Sequence, residues 1–151
     1  MVAKFFPNDK MFGFLIEREI VAVDQVINSK QNPVTAIVGG AKVSSKITII
    51  ERLLDKVDNL IVGGGMAYTF VKANGGKVGD SLVEDDYLQT ANRIVAEAKV
   101  KGVNLLIPVD TVVADKFDNN ANRDQLPIDE IPDGWMGLDV GEKTSIKCKE
   151  I

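Results

Sequence analysis

Thr35-Ala36-Ile37-Val38-Gly39-Gly40-Ala41-Lys42-Val43-Ser44-Ser45-Lys46 runs from an apolar stretch, through two glycines, into a segment carrying two lysines. An apolar run from Val34 to Val38, small or apolar on both faces and bounded by turn residues, reads as a buried parallel strand. Beyond the glycines, Ser44 reads as the opening of a helix. At such a junction N–H groups without helical partners meet the positive end of the helix dipole, a place where α/β proteins handle anions. Lys42 and Lys46 stand four residues apart, so on a helix both ammonium groups face the same way. Cations at a helix N-terminus oppose the dipole by roughly 0.3–1 kcal/mol each at exposed sites, and no acid stands beside them in that turn. A bound anion reverses that sign. Two solvated surface lysines are the plainer alternative.

The junction is repeated. Ile37-Val38-Gly39-Gly40 recurs as Ile61-Val62-Gly63-Gly64, with a helical stripe of Ile47, Ile50, Leu53 and Val57 between the two. Asn59–Val62 reads as the second strand, and a short helix after Gly65 runs through Asn74 to Gly75-Gly76, glycines suited to a helix C-terminus. Ser81-Leu82-Val83-Glu84 has capping-box spacing, and Leu88, Ala91, Val95 and Ala98 carry a helix to Lys101-Gly102. Val103–Pro108 is a third strand, leading into Asp110 and the β-branched run Thr111–Ala114. Asp115–Gly134, rich in Asp, Asn and Pro, reads as a long surface loop; Trp135–Gly141 reads as a compact turn, and Thr144–Ile151 begins a helix. Upstream, Pro7 and Asn8-Asp9 mark a turn, with Asp9 a candidate cap for a helix from Met11 to Ile27 whose apolar positions are Phe12, Ile16, Ile20, Val23 and Ile27. Asn28–Pro33 is a polar loop.

Strands alternating with helices of this length imply right-handed βαβ crossovers and a parallel sheet. Both glycine turns then open at the carboxyl edge of that sheet, where such folds bind ligands. The expected fold is α/β: a three-layer, Rossmann-like parallel sheet with flanking helices. It is incomplete, because the last helix has no following strand, and the chain reads as cut.

Composition narrows the function classes. The 151 residues suit one domain with a substantial core. A net charge of −4 opposes a nucleic-acid surface. No apolar run approaches the roughly 20 residues of a membrane helix, and the N-terminus has no signal-peptide pattern. Cys148 is the single cysteine and there is no histidine; this excludes an internal disulfide and a Cys–His nucleophile, argues against a zinc site, and fits a reducing cytoplasm. Acid–base work would fall to carboxylates or lysines.

The glycine turns fail the common phosphate patterns. Gly76-Lys77 has Val71 where a P-loop needs its first glycine, and Val78 follows the lysine. Gly63 and Gly65 match the first two glycines of the dinucleotide fingerprint, but Tyr68 takes the third place. Glycines with paired lysines remain as an unusual phosphate device, and close helix–strand packing is the other reason for glycines there.

Taken together, the motifs resemble one family. Gly39-Gly40-Ala41-Lys42-Val43-Ser44 with Lys46 is similar to the glycine–lysine segment of the phosphoglycerate kinases. Gly63-Gly64-Gly65-Met66-Ala67-Tyr68-Thr69-Phe70 resembles their next signature. Pro108-Val109-Asp110 with Ala114-Asp115, then Gly134-Trp135-Met136-Gly137-Leu138-Asp139, continue it in order, and Phe14-Leu15-Ile16-Glu17 resembles the long helix entering the C-terminal domain. The resemblance implies the first half of the C-terminal, nucleotide-binding domain over residues 11–151, with residues 1–10 leading in from the interdomain region.

It further implies an enzyme that transfers a phosphoryl group between 1,3-bisphosphoglycerate and ADP, giving 3-phosphoglycerate and ATP, in glycolysis and in the cytoplasm. By that resemblance Gly39, Gly40 and Ala41 line the adenine side. Gly64 and Gly65 let the base approach, and Leu82, Phe117, Gly137 and Leu138 sandwich it. Lys42 and Lys46 reach the transferring phosphoryl group and the nucleotide phosphates. The cofactors are ATP/ADP and Mg2+, with the metal ligands outside this chain; the phosphoglycerate partner binds through an N-terminal domain that is absent here. Neither nucleic acid nor membrane is an expected partner. The full enzyme is expected to be a monomer, while this fragment is expected to be inactive and open to self-association. Ser45 stands where many relatives have aspartate. The alternatives are a non-catalytic nucleotide-binding or α/β folding module and, less favoured, a dehydrogenase-like Rossmann domain.

Overall fold

The computed structural model describes Phe5, residues 11–27 and residues 32–151. The chain divides into two compact units, 1–32 and 33–151. In the first, α1 (Phe14–Ile27) begins three residues later than the periodicity from Met11 suggests: the Glu17 N–H donates to the Gly13 carbonyl, so Gly13 precedes the first turn. Ile16, Ile20 and Val23 share one face by their spacing. The expected turn at Pro7, the Asp9 cap and most of the 28–33 loop lie outside the described residues.

The second unit runs β1 (Thr35–Gly39), α2 (Ile47–Leu53), β2 (Asn59–Gly63), α3 (Met66–Ala73), β3 (Lys77–Val78), α4 (Leu88–Lys101), β4 (Asn104–Leu106), β5 (Asp110–Ala114), β6 (Arg123–Pro127), β7 (Glu130–Ile131), β8 (Met136–Val140) and α5 (Glu142–Lys149). A 3₁₀ turn, Asp85–Tyr87, leads into α4. As expected, β1, β2 and β4 form a parallel sheet in the order β1-β2-β4. Thr35 pairs with Asn59 and Gly39 with Gly63, which brings both glycine turns out at one edge.

Period-two alternation along these strands selects the buried face. Val38, Leu60 and Val62 point into a core shared with Ile50 of α2 and Leu54 just after it, Met66 and Phe70 of α3, and Ala91, Ile94 and Ala98 of α4. The intervening Ile37 faces the other way and is 74% exposed. Gly102, in the left-handed conformation at φ 70°, ends α4 and donates its N–H to the Lys99 carbonyl, the backbone requirement that the Lys101-Gly102 reading anticipates.

Several local expectations are corrected. Asp115–Gly134 is not one loop, since β6 and β7 lie within it, and Trp135–Gly141 contains β8 rather than a turn. β5 pairs antiparallel with β6 and β8, and β3 pairs in parallel with β7. The mostly exposed β6, Arg-Asp-Gln-Leu-Pro, carries the composition of an edge strand, which resembles that of a loop. On α4 it is Ile94, not Val95, that enters the core; Val95 is 39% exposed. Both positions satisfy the i+3/i+4 spacing from Ala91, so periodicity alone does not separate them. A second core gathers Ala67, Tyr68 and Val71 of α3 against Val78, Val113, Ile128 and Ile131, so α3 is buried on two sides.

Candidate functional site

The two glycine turns touch. The Gly40 carbonyl accepts the Met66 N–H at 2.9 Å, joining the end of β1 to the start of α3. Gly64 has φ 70°, and a Cβ there would stand 2.9 Å from the nitrogen and the oxygen of Gly40. Glycine at 64 is thus required twice, by backbone conformation and by the approach of the neighbouring turn. Beside it, a Cβ on Gly65 would meet Leu82 Cδ1 at 3.2 Å and Ala41 Cα at 3.4 Å. Gly39, Gly40, Ala41, Gly64, Gly65 and Leu82 therefore form one continuous surface, and Leu82, 63% exposed, stands open beside it.

Lys42 and Lys46 do not share a helical face. α2 starts only at Ile47, and residues 44–46 form a turn in which the Lys46 and Ile47 N–H groups both donate to the Val43 carbonyl. Val43, fully buried, pins that turn to the core. Lys42 is exposed and Lys46 half-buried, with Lys46 Cε 3.6 Å from where a Cβ on Gly40 would sit. Among the described residues neither lysine is in a salt bridge.

The turn's own donors are less open than the sequence suggests. Glu84, forty residues on, accepts the Ser44 N–H at 2.9 Å and the Ser44 hydroxyl at 2.7 Å. Ser81-x-x-Glu84 is accordingly no capping box: Ser81 Oγ instead accepts the Gly137 N–H at 2.9 Å. Desolvation pushes the Glu84 carboxyl up, but its bonds to Ser44 and Val43 and the charge of Lys42 outweigh this and hold it below its usual value. Ser45 donates its hydroxyl to the Lys42 carbonyl at 3.0 Å.

On the far side of Gly64 lies β8. In its ladder with β5, Val112 faces Asp139 and Val113 faces Gly137, so Leu138 is the extra residue of a β-bulge. Bulges re-aim a side chain; Leu138 lines a small crevice of about 30 Å³ together with Gly64 and Tyr68. Gly137 has a packing reason of its own, because a Cβ there would run into the Tyr68 ring and hydroxyl. That hydroxyl lies 2.8 Å from Thr111 Oγ1, and burial, the largest cause, raises its pKa. Phe117 is 87% exposed in the segment after β5, the most open of the apolar candidates. A much larger cavity, about 900 Å³, lies elsewhere, between the C-terminal part of α3, α4 and the Ile128–Pro132 segment.

Sequence reasoning gave Glu84 only a place in a capping box and Asp110 no role of its own. Asp110, only 3% exposed, accepts the Thr144 N–H at 2.8 Å, the Thr144 hydroxyl at 2.6 Å and the Lys143 N–H at 3.0 Å, so it satisfies the N-terminus of α5. Neither role is readable in the sequence, since each partner lies more than thirty residues away. Among the described residues no three His, Cys, Asp or Glu side chains converge on a metal position, and no helix is long and apolar enough to cross a membrane.

Comparison with known proteins bears on the family and the fold. The family model described as phosphoglycerate kinase matches residues 1–151. A phosphoglycerate kinase of Porphyromonas gingivalis is 53% identical over 152 residues, covering 100% of this chain and 36% of that protein. One from Synechococcus elongatus is 56% identical over 138 residues, covering 91% of this chain and 34% of that protein. Among solved structures, phosphoglycerate kinase from Coxiella burnetii superimposes with a TM-score of 0.86 at 42% identity, over 91% of this chain and 36% of that one. The chain thus spans about a third of the length of the relatives it matches.

Proposed function

The chain belongs to the phosphoglycerate kinase family, and on that premise we propose that its paired glycine turns, with Lys42 and Lys46, form the phosphate-facing half of an ATP/ADP site. The observation that carries this reading is the meeting of the two turns at one sheet edge. There Gly64 lies against Gly40, and alongside stand Lys42 and Lys46, neither of them in a salt bridge among the described residues. Bare backbone lets a flat base approach, and Leu82 and Leu138 supply apolar surface on either side of the glycines. Phe117 and Gly137 complete that surface in the proposed pocket.

The whole protein would transfer a phosphoryl group between 1,3-bisphosphoglycerate and ADP, a cytoplasmic step of glycolysis. In such a transfer, charge builds on the equatorial phosphoryl oxygens, and catalysis is chiefly positioning and cationic stabilisation. Lys42 and Lys46 supply that cationic part, and no histidine, general base or covalent nucleophile is needed. Mg2+, when bound with the nucleotide, neutralises phosphate charge; its protein ligands and the phosphoglycerate-binding domain belong to parts of the enzyme outside this chain. Alone, these 151 residues are expected to bind nucleotide without turnover.

Titrating ADP while following backbone amide shifts tests the site. Shifts should concentrate on Gly39–Lys46 and Gly63–Gly65, and Lys42→Ala or Lys46→Ala should each weaken ADP by about ten- to a hundredfold, as expected for one charge-assisted hydrogen bond of roughly 1.5–3 kcal/mol. No perturbation at millimolar ADP would favour a folding module. A coupled assay giving kinase turnover from the chain alone would refute the expected inactivity.

A further inference from the structure

The short segment Ser81-Leu82-Val83-Glu84 holds three parts of the site at once. Ser81 Oγ takes the N–H of Gly137 next to the Leu138 bulge, Leu82 packs on Gly65, and Glu84 grips Ser44 between the two lysines. Its own backbone is fixed as well, because the Glu84 N–H donates to Oγ1 of Thr69 at 3.1 Å, and Thr69 is buried in α3. We propose that Glu84 is a positioning residue of the nucleotide site: by holding Ser44 with both carboxylate oxygens, it fixes the Lys42–Lys46 turn at a set distance from the apolar wall formed by Leu82.

The geometry favours this over plain surface capping. A carboxylate beside Lys42 would ordinarily pair with it, yet both Glu84 oxygens are engaged by Ser44, and no salt bridge forms to either lysine among the described residues. The lysines therefore stay available to a phosphate while the turn carrying them is immobilised. Ionised Glu84 also suits the role, since two charge-assisted hydrogen bonds are shorter and about twice as strong as neutral ones. The grip is indirect: Glu84 acts through Ser44 and touches no nucleotide.

This proposal rests on the nucleotide reading above, and one set of measurements separates the two. ADP and adenosine affinities are measured by calorimetry or amide shifts for the wild-type chain and for Glu84→Ala, Glu84→Gln and Ser44→Ala. If Glu84 sets the lysine turn, Glu84→Ala weakens ADP by about tenfold or more, the lower end of what a charged hydrogen bond is worth, and weakens adenosine much less, so the ADP-to-adenosine ratio falls. Glu84→Gln, whose amide oxygen still accepts the Ser44 N–H, should recover most of that ratio. Ser44→Ala, which keeps the backbone bond, should lower it by a smaller factor. A role in stability alone would lower the melting temperature and leave the ratio unchanged, overturning the proposal. Should Glu84→Ala fail to fold, an unchanged ratio in both other variants would overturn it equally, and a lowered ratio in Ser44→Ala would support it. A wild-type chain that binds neither ligand would instead overturn the nucleotide reading itself, and the positioning role with it.

Discussion

At the residue scale, glycines and one buried aspartate carry the sharpest consequences. Gly64→Ala forces a side chain into a left-handed backbone and against Gly40, so a loss of about 1–3 kcal/mol is expected from conformation alone, read as a lower urea midpoint. Asp110 obeys a different rule. Burial raises its pKa, but the bonds from Thr144, from the Lys143 N–H and from Gln125 outweigh burial and hold the carboxyl below its usual range. Its folded pKa therefore lies under the unfolded value of about 3.9. The stability it contributes is complete above that value and is lost as the pH falls through the folded one. Asp110→Asn puts an amide donor or a poorer acceptor against the α5 N–H groups. It should lower stability at pH 7 while making the difference in urea midpoint between pH 7 and pH 3 smaller than in the wild type.

At the element scale, α3 joins two cores and the site. Its first residue, Met66, bonds Gly40, its Tyr68 packs against Gly137, and Phe70 is 1% exposed in the core under β1 and β2. Phe70→Ala should cost about 3–5 kcal/mol, measured by urea denaturation. Because α3 also anchors Glu84 through Thr69, the same variant should disturb the amides of the Lys42–Lys46 turn even without ligand. By contrast, the Arg93–Glu51 contact and the bonds of Lys101 to Asp55 and Glu97 lie on the surface between α2 and α4. Exposed ion pairs of this kind are screened by solvent, so Arg93→Ala should leave the urea midpoint within error in moderate salt.

At the scale of the whole molecule, the strand order β1-β2-β4 makes β1 and β4 the outer strands of the parallel sheet among the described residues. Such edges present unpaired backbone groups that template association, and Ile37 adds apolar surface at 74% exposure. Light scattering should show the apparent mass rising with concentration, and Ile37→Lys should suppress that rise. A constant monomer mass over the same range would mean the edge is covered in solution.

Much of this was written in local sequence. The repeated Ile-Val-Gly-Gly junction determined a parallel sheet with both glycine turns at one edge, because period-two burial and glycine-permitted turns are properties of a few adjacent residues. The order of the motifs determined the family for the same reason. Tertiary structure alone decided how the lysines are held. Ser45 and its neighbours contain no acid, and the carboxylate that fixes their turn arrives from position 84, while the one that caps α5 arrives from position 110. It also decided that β6, β7 and β8 are strands, since a polar edge strand owes its conformation to the backbone partner across the ladder. Patterns over a few residues can be read directly; partners brought together over thirty or forty residues exist only once the chain has closed around its core.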